Sequence, residues 1–331
     1  MKLSTANGQR HRARNGCTDV HAPASATKPV RPATISAHQV RPGRDRRYRR
    51  QSCTGVVFGS ECAVAGKSLD LRTDKPHSAR IYDYLLGGKD NYPADQQAAA
   101  KVEQAVPNAR KVARANRDFM HRAARYAAEA GIGQFLDIGT GIPTAPNLHQ
   151  VVQEVNPAAR IVYVDNDPLV LAHARALMTG TPEGSTGYIN ADLTEPETIL
   201  SAPALTDTLD PGVPTALSLI AIAHFVPGDI IYDAVATLLD ALAPGSYLAM
   251  THLTAEIDPE GVAGTVATYT QSGIAMQPRS RDEFERFFTG LEPVEPGTVP
   301  LHRWRPRMDQ PAAYDYTLPL YAAVGRKPAL A

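Results

Sequence analysis

The sequence predicts an α/β fold, a mostly parallel sheet with helices on both of its faces. Two patterns carry that prediction. Between residues 134 and 251, short apolar runs alternate with amphipathic ones, as βαβ units require. The first of those runs ends in Gly139-Thr140-Gly141, a glycine turn placed where a strand feeds a helix. Composition agrees: 331 residues, 43% hydrophobic and 21% charged, describe a globular chain of one large or two small domains. The longest apolar run, 216–226, is short of the ~20 residues that cross a bilayer and contains Ser218 and His224.

Charge divides the chain in two. Lys+Arg and Asp+Glu number 34 each, but residues 1–72 hold 14 of the former and 4 of the latter, leaving 20 and 30 for residues 73–331. The basic extension contains the run Arg41-Pro42-Gly43-Arg44-Asp45-Arg46-Arg47, shows no helical or strand period, and has too few large apolar side chains for a core. It reads as a disordered tail, as an arm that attracts nucleic-acid phosphates, or as a start codon placed too far upstream. Cys17, Cys53 and Cys62 all lie in it, so no disulfide framework is expected, and a reducing, cytoplasmic setting is the default. Gly66-Lys67-Ser68 resembles the end of a P-loop, but Glu61 stands where that motif needs its first glycine.

The folded domain is expected over residues 73–331. Helices are predicted at 94–106, behind Pro93, and at 109–130, closed by Gly131. Strands follow at 134–138, 160–164, 187–190, 215–221 and 246–251. They alternate with helices at 144–154, 168–178, 196–201 and 229–242. Ser280-Arg281-Asp282-Glu283 is a capping box opening a helix with Phe284, Phe287 and Phe288, and two last strands fall near 291–294 and 318–324.

The chemistry concentrates at the strand ends. In Asp137-Ile138-Gly139-Thr140-Gly141 the glycines let the backbone turn sharply and approach a ligand closely. A dinucleotide fingerprint would want a third glycine at Thr144, and its anionic pyrophosphate would be repelled by Asp137. A carboxylate beside this turn suits a ligand with a cationic end, such as S-adenosylmethionine (SAM), better than NAD. Asp165, followed by Asn166, ends the second strand and can accept both ribose hydroxyls. Asp167 before Pro168 reads as a helix cap. Asp192, followed by Leu193, ends the third strand and can accept from an adenine amino group, or simply hold a turn.

With these residues in view, the chain resembles class I SAM-dependent methyltransferases, and more narrowly a bacterial family of them long catalogued as a domain of unknown function. The resemblance covers residues 75–327. It rests on Ser78-Ala79-Arg80-Ile81-Tyr82-Asp83-Tyr84-Leu85-Leu86-Gly87-Gly88-Lys89-Asp90-Asn91-Tyr92, on 136–148 and 163–168, on His224-Phe225-Val226-Pro227, and on Pro244-Gly245-Ser246-Tyr247-Leu248. It implies a Rossmann-like, seven-stranded sheet with an antiparallel C-terminal strand pair. The cofactor it implies is SAM, held by Asp137, Gly139, Thr140, Gly141, Asp165, Asn166, Asp192 and Leu193. It implies no substrate.

Further candidates surround that site. Residues 76–131 are expected to form a helical lid, with Gly87-Gly88 as a turn between aromatic arms Tyr82/Tyr84 and Tyr92; an ordinary helix cap is the alternative. His224, after the fourth strand, and Tyr84 are the candidate catalytic side chains; His224 either orients a substrate, takes its proton or satisfies a local hydrogen bond. His252 has the same status with less support. Arg303-Trp304-Arg305 can grip a planar or anionic substrate or serve as a buried anchor, and 254–277 is expected to cover the site's mouth. No metal-ligand spacing is present. A small-molecule methyltransferase is expected. The rivals are a nucleic-acid methyltransferase using the basic arm, a non-catalytic SAM-binding protein and, less favoured, an NAD-dependent oxidoreductase.

Overall fold

The computed structural model describes residues 72–177, 179–306 and 317–329. The basic arm, the three cysteines and Gly66-Lys67-Ser68 lie outside the described residues. The sheet consists of β1 (Gln134–Ile138), β2 (Arg160–Asp165), β3 (Ser185–Asn190), β4 (Thr215–Ile220), β5 (Tyr247–Leu253), β6 (Glu292–Pro293), β7 (Val299–Pro300) and β8 (Leu320–Arg326). The order is β3-β2-β1-β4-β5-β8-β6, parallel from β3 to β5, with β8 antiparallel to β5. Both β6 and β7 pair with β8, opposite Gly325–Arg326 and Tyr321–Ala322 respectively. The seventh position is therefore a strand broken in two. Pro293, Pro296 and Pro300 account for the break, since proline cannot donate to a ladder and is confined to edges.

The helices are α1 (Ser78–Leu86), α2 (Pro93–Ala105), α3 (Ala109–Glu129), α4 (Leu148–Gln153), α5 (Pro168–Leu177), α6 (Pro196–Leu200), α7 (Pro203–Thr206), α8 (Ile230–Asp240), α9 (Pro259–Gln271) and α10 (Arg281–Glu285). One apolar cluster joins α3, α4 and one sheet face through Phe119, Val152, Ile161 and Trp304, and a second joins α6, α8 and the other face through Leu217, Leu238 and Met250. A third, of Ile81, Leu85, Val102, Val106, Leu253 and Tyr269, packs α1, α2 and α9 together beside the end of β5. Among the described residues no helix is long and apolar enough to cross a membrane.

Two expectations change in detail. The helix expected from 144 starts at Leu148. Asn147 N donates to Gln150 Oε1 in a capping box that fixes the start, Thr144 N donates to Asn147 Oδ1 ahead of it, and Pro143 and Pro146 hold the preceding residues out of helical geometry. The Ser280 capping box forms as expected, with Glu283 N donating to Ser280 Oγ and Ser280 N to Glu283 Oε2. Its α-helix, however, ends at Glu285, and Phe287 and Phe288 lie on a following 3-10 turn.

Candidate functional site

Strand order reverses between β1 and β4, and in open α/β sheets that switch point is where ligands sit. A cavity opens there, with about 1260 Å3 of atom-free space including its mouth. Its floor is the end of β1 and the glycine turn that follows, with Asp137, Gly139, Thr140 and Gly141, together with Asp165 and Asn166 at the end of β2 and 220–222 at the end of β4. Its roof is α1, α2, α3 and α9.

The floor is held by its own carboxylates. Asp165 Oδ2 accepts from Gly141 N at 2.8 Å and Oδ1 from Asp167 N at 2.9 Å, tying the β1 turn to the β2 turn. Asp137 accepts a hydrogen bond from Ser218 Oγ on β4. Burial raises both carboxyls above their ordinary values. For Asp137 the Ser218 bond and the Arg117 charge oppose this, and for Asp165 the two backbone donors do. Gly139 has φ +75°, and a Cβ there would meet Ile222 at 2.6 Å, whereas the space above Gly141 is open. Ala221, at the end of β4, has φ +56°; its N donates to Thr251 Oγ1 at 2.9 Å. Left-handed backbone at a non-glycine residue costs of order 1–3 kcal/mol and clusters at functional sites.

Polar side chains of α3 connect roof to floor, and the sequence reading missed them. Thr251 Oγ1 donates to Asn116 Oδ1 at 2.7 Å; Asn116 Nδ2 donates to Tyr82 OH, which donates to Ala113 O. Arg117 donates to Thr144 O and Pro146 O, holding the segment after the glycine turn. The available signal was periodicity: Ala113, Asn116 and Met120 share a helical stripe in which Asn116 interrupts the apolar residues. Arg80 of α1, 2% exposed, places Nε 3.5 Å from Asp95 Oδ1 and 3.6 Å from Asp167 Oδ2. Asp167 does cap α5 through Leu169 N, but its other oxygen anchors α1.

His224 lies on a 3-10 turn after β4 and lines the cavity. Its ring is 5.5 Å from that of His252. His252 is fully engaged: Nδ1 donates to Leu253 O, and Nε2 accepts from Arg279 Nη1 at 2.9 Å. The buried Arg279, also unforeseen, donates further to Ala223 O, Val226 O and Gly228 O, so it clamps the turn that carries His224. Burial first, then the neighbouring His252 and Arg279, holds His224 well below its ordinary pKa; burial likewise lowers His252 to about 3.

Other candidates sit elsewhere. Tyr82 lines the cavity, but Tyr84 does not: its ring lies 4.6 Å from the Arg110 guanidinium. Gly87 (φ +87°) caps α1, and a Cβ on Gly88 would collide with Asp83, whose carboxylate accepts from Asp90 N and Asn91 Nδ2. That turn is a pinned helix cap, not an open joint. Asp192 accepts from Thr194 N and Oγ1 and from Asn166 Nδ2, one side chain away from the cavity wall. Burial pushes Asp192 upward, but those hydrogen bonds outweigh it and leave the carboxyl below its ordinary value. Leu193 is buried in the α6–α8 cluster. Arg303-Trp304-Arg305 is corrected. Trp304 is 0% exposed, packed edge-on against Phe119 and Tyr126, with Arg122 Nε on its carbonyl, while Arg303 and Arg305 are exposed and none of the three lines the cavity. Burial of the largest apolar ring decided it.

The S-adenosyl methyltransferase family model matches residues 64–328. Among solved structures the chain is similar to a DUF574 family protein from Streptomyces avermitilis MA-4680. The two are 49% identical over 78% of this chain and 100% of that one, with a TM-score of 0.75. It is also similar to a protein from Thermobifida fusca YX provisionally named a methyltransferase, at 41% identity over 78% and 97% of the two chains and a TM-score of 0.72. No curated protein matches the chain.

Proposed function

Because the chain belongs to the S-adenosyl methyltransferase family, with SAM as its cofactor, we propose that it methylates a small molecule bound beside the cofactor in the cavity at the switch point. One observation carries this reading: a single cavity joins the strand-end carboxylates and glycine turn to an apolar chamber roofed by α1, α2 and α9. A chamber of this kind suits a compact acceptor that leaves solvent.

The residues fit the cofactor. Asp137 is a buried carboxylate suited to the methionine ammonium, and the open space above Gly141 leaves room for close approach. Each oxygen of Asp165 accepts one backbone N–H and retains a lone pair, so a ribose diol can still bond to it. Asn166, backed by Asp192 through its side-chain amide, would serve the adenine side, with Thr140 and Gly139 completing the set. When bound, SAM supplies a methyl on a sulfonium, which an acceptor lone pair takes as the sulfur–carbon bond breaks to leave a thioether. The chain has to orient the acceptor and exclude water, and proximity and orientation alone supply ~7–11 kcal/mol of barrier lowering. The roof helices, anchored through Arg80 and Asn116, do both.

Calorimetric titration with SAM and S-adenosylhomocysteine, with NAD as control, tests the site. Micromolar binding of the first two and none of NAD is expected; NAD binding in their place would overturn the reading.

A further inference from the structure

We propose that the acceptor is an uncharged, largely apolar molecule bound under α2 and α9 and oriented by hydrogen bonds that the neutral His224 Nε2–H and Tyr269 OH donate to an oxygen it carries. The inference rests on the methyltransferase reading above and names its substrate class.

The argument begins with charge. The charged side chains of the cavity wall, Arg117, Asp137 and Asp165, belong to its floor and to the α3 edge beside the glycine turn. The far end is walled by Leu85, Val102, Val106, Phe225, Leu253 and Met276. A charged acceptor would lose its hydration there and gain no counter-ion, so the chamber selects against one.

Two polar atoms at that end are unclaimed. His224 is 5% exposed; its Nδ1 is sealed from solvent and has no hydrogen-bond partner, which leaves Nε2 as the ring nitrogen that meets the cavity. Tyr269 is 6% exposed, and its hydroxyl is neither sealed nor bonded to another side chain or carbonyl, so it too opens onto the cavity. Its ring stands 5.5 Å from Phe225, the neighbour of His224.

The orphaned Nδ1 decides what His224 does. A neutral imidazole carries one N–H, and a buried N–H without an acceptor is rarer and costlier than an unused lone pair. The proton therefore sits on Nε2, and the ring offers the cavity a donor. A second proton would have to go to Nδ1, where no acceptor waits and where Arg279 holds a positive charge behind His252. His224 is thus a positioning donor and not a proton acceptor. Burial of Tyr269 raises its pKa, which keeps that hydroxyl a donor as well.

The test uses the full chain saturated with S-adenosylhomocysteine and three probes of one shape: 2-acetylnaphthalene, 2-ethylnaphthalene and 2-naphthoate, titrated by fluorescence. The ketone is expected to bind about twenty-five-fold tighter than the ethyl compound, the value of two net hydrogen bonds, and naphthoate about tenfold weaker than the ketone. His224→Phe and Tyr269→Phe should each cut the preference for the ketone to about fivefold and His224→Gln should restore part of it, with each variant's fold checked by its circular dichroism melt. Nitrogen NMR of the imidazole at neutral pH should show protonated Nε2 and bare Nδ1. Naphthoate binding as tightly as the ketone, a preference that His224→Phe leaves undiminished, no binding of any probe, or an imidazolium or Nδ1–H form would each overturn the inference. Failure of S-adenosylhomocysteine to bind, with the imidazole as expected, would instead strike the cofactor reading.

Discussion

Asp165 and His252 show how single side chains set this site. The Asp165 carboxylate is the clasp between two strand-end turns, and in Asp165→Asn one oxygen becomes an NH2 that faces a backbone N–H. Loss of at least tenfold in S-adenosylhomocysteine affinity is expected by calorimetry, the scale of one hydrogen bond to a charged group; full affinity would remove the ribose assignment. The histidines set the acid limit. His252 is lowered from 6.5 to about 3 and His121, half-buried beside Arg117, to about 4, both chiefly by desolvation. A group whose folded pKa lies below its unfolded value contributes stability that is complete above the unfolded value and is lost as pH falls toward the folded one. Urea unfolding should therefore show stability falling from pH 6.5 toward pH 4, at up to about 1.4 kcal/mol per unit for each such histidine. His252→Gln should flatten that slope. An unchanged slope would show that His252 charges freely in the folded protein.

At the scale of elements, the glycine turn and the first helix are what the sheet must hold in place. Gly139→Ala needs φ +75° from a residue with a Cβ and drives that Cβ into Ile222, so the turn has to move. Cofactor affinity should fall in that variant even where the melting curve stays cooperative. Helix α1 is held by a buried cation between Asp95 and Asp167, and removing one partner of a buried ion pair costs about 3–5 kcal/mol. Arg80→Met should lose stability on that scale in urea and should also weaken S-adenosylhomocysteine binding, because Asp167 sits two residues from Asp165. A loss of stability without a loss of affinity would separate α1 from the cofactor loop.

For the whole molecule, the family match begins at residue 64, and the basic arm lies almost wholly before it. Deleting residues 1–63 should leave S-adenosylhomocysteine affinity unchanged. If the full chain binds DNA or RNA in a salt-dependent way that the deletion abolishes, the nucleic-acid reading of the arm gains its support; no salt-dependent binding by either form removes it. The sequence by itself determined the strand ladder, because parallel strands buried on both faces read as apolar runs bounded by turns. It also singled out Asp137, Gly139 and Asp165, which the fold brings to one cavity wall because they stand at the ends of neighbouring strands. Tertiary structure alone decided the rest. Trp304 went to the core and Tyr84 to a half-buried stack on Arg110 because burial depends on which elements meet. Asn116, Arg117 and Arg279 gained their roles from partners 27 to 135 residues away, a distance no local pattern encodes. The unpartnered Nδ1 of His224, from which its tautomer is inferred, is a feature only the folded chain can show.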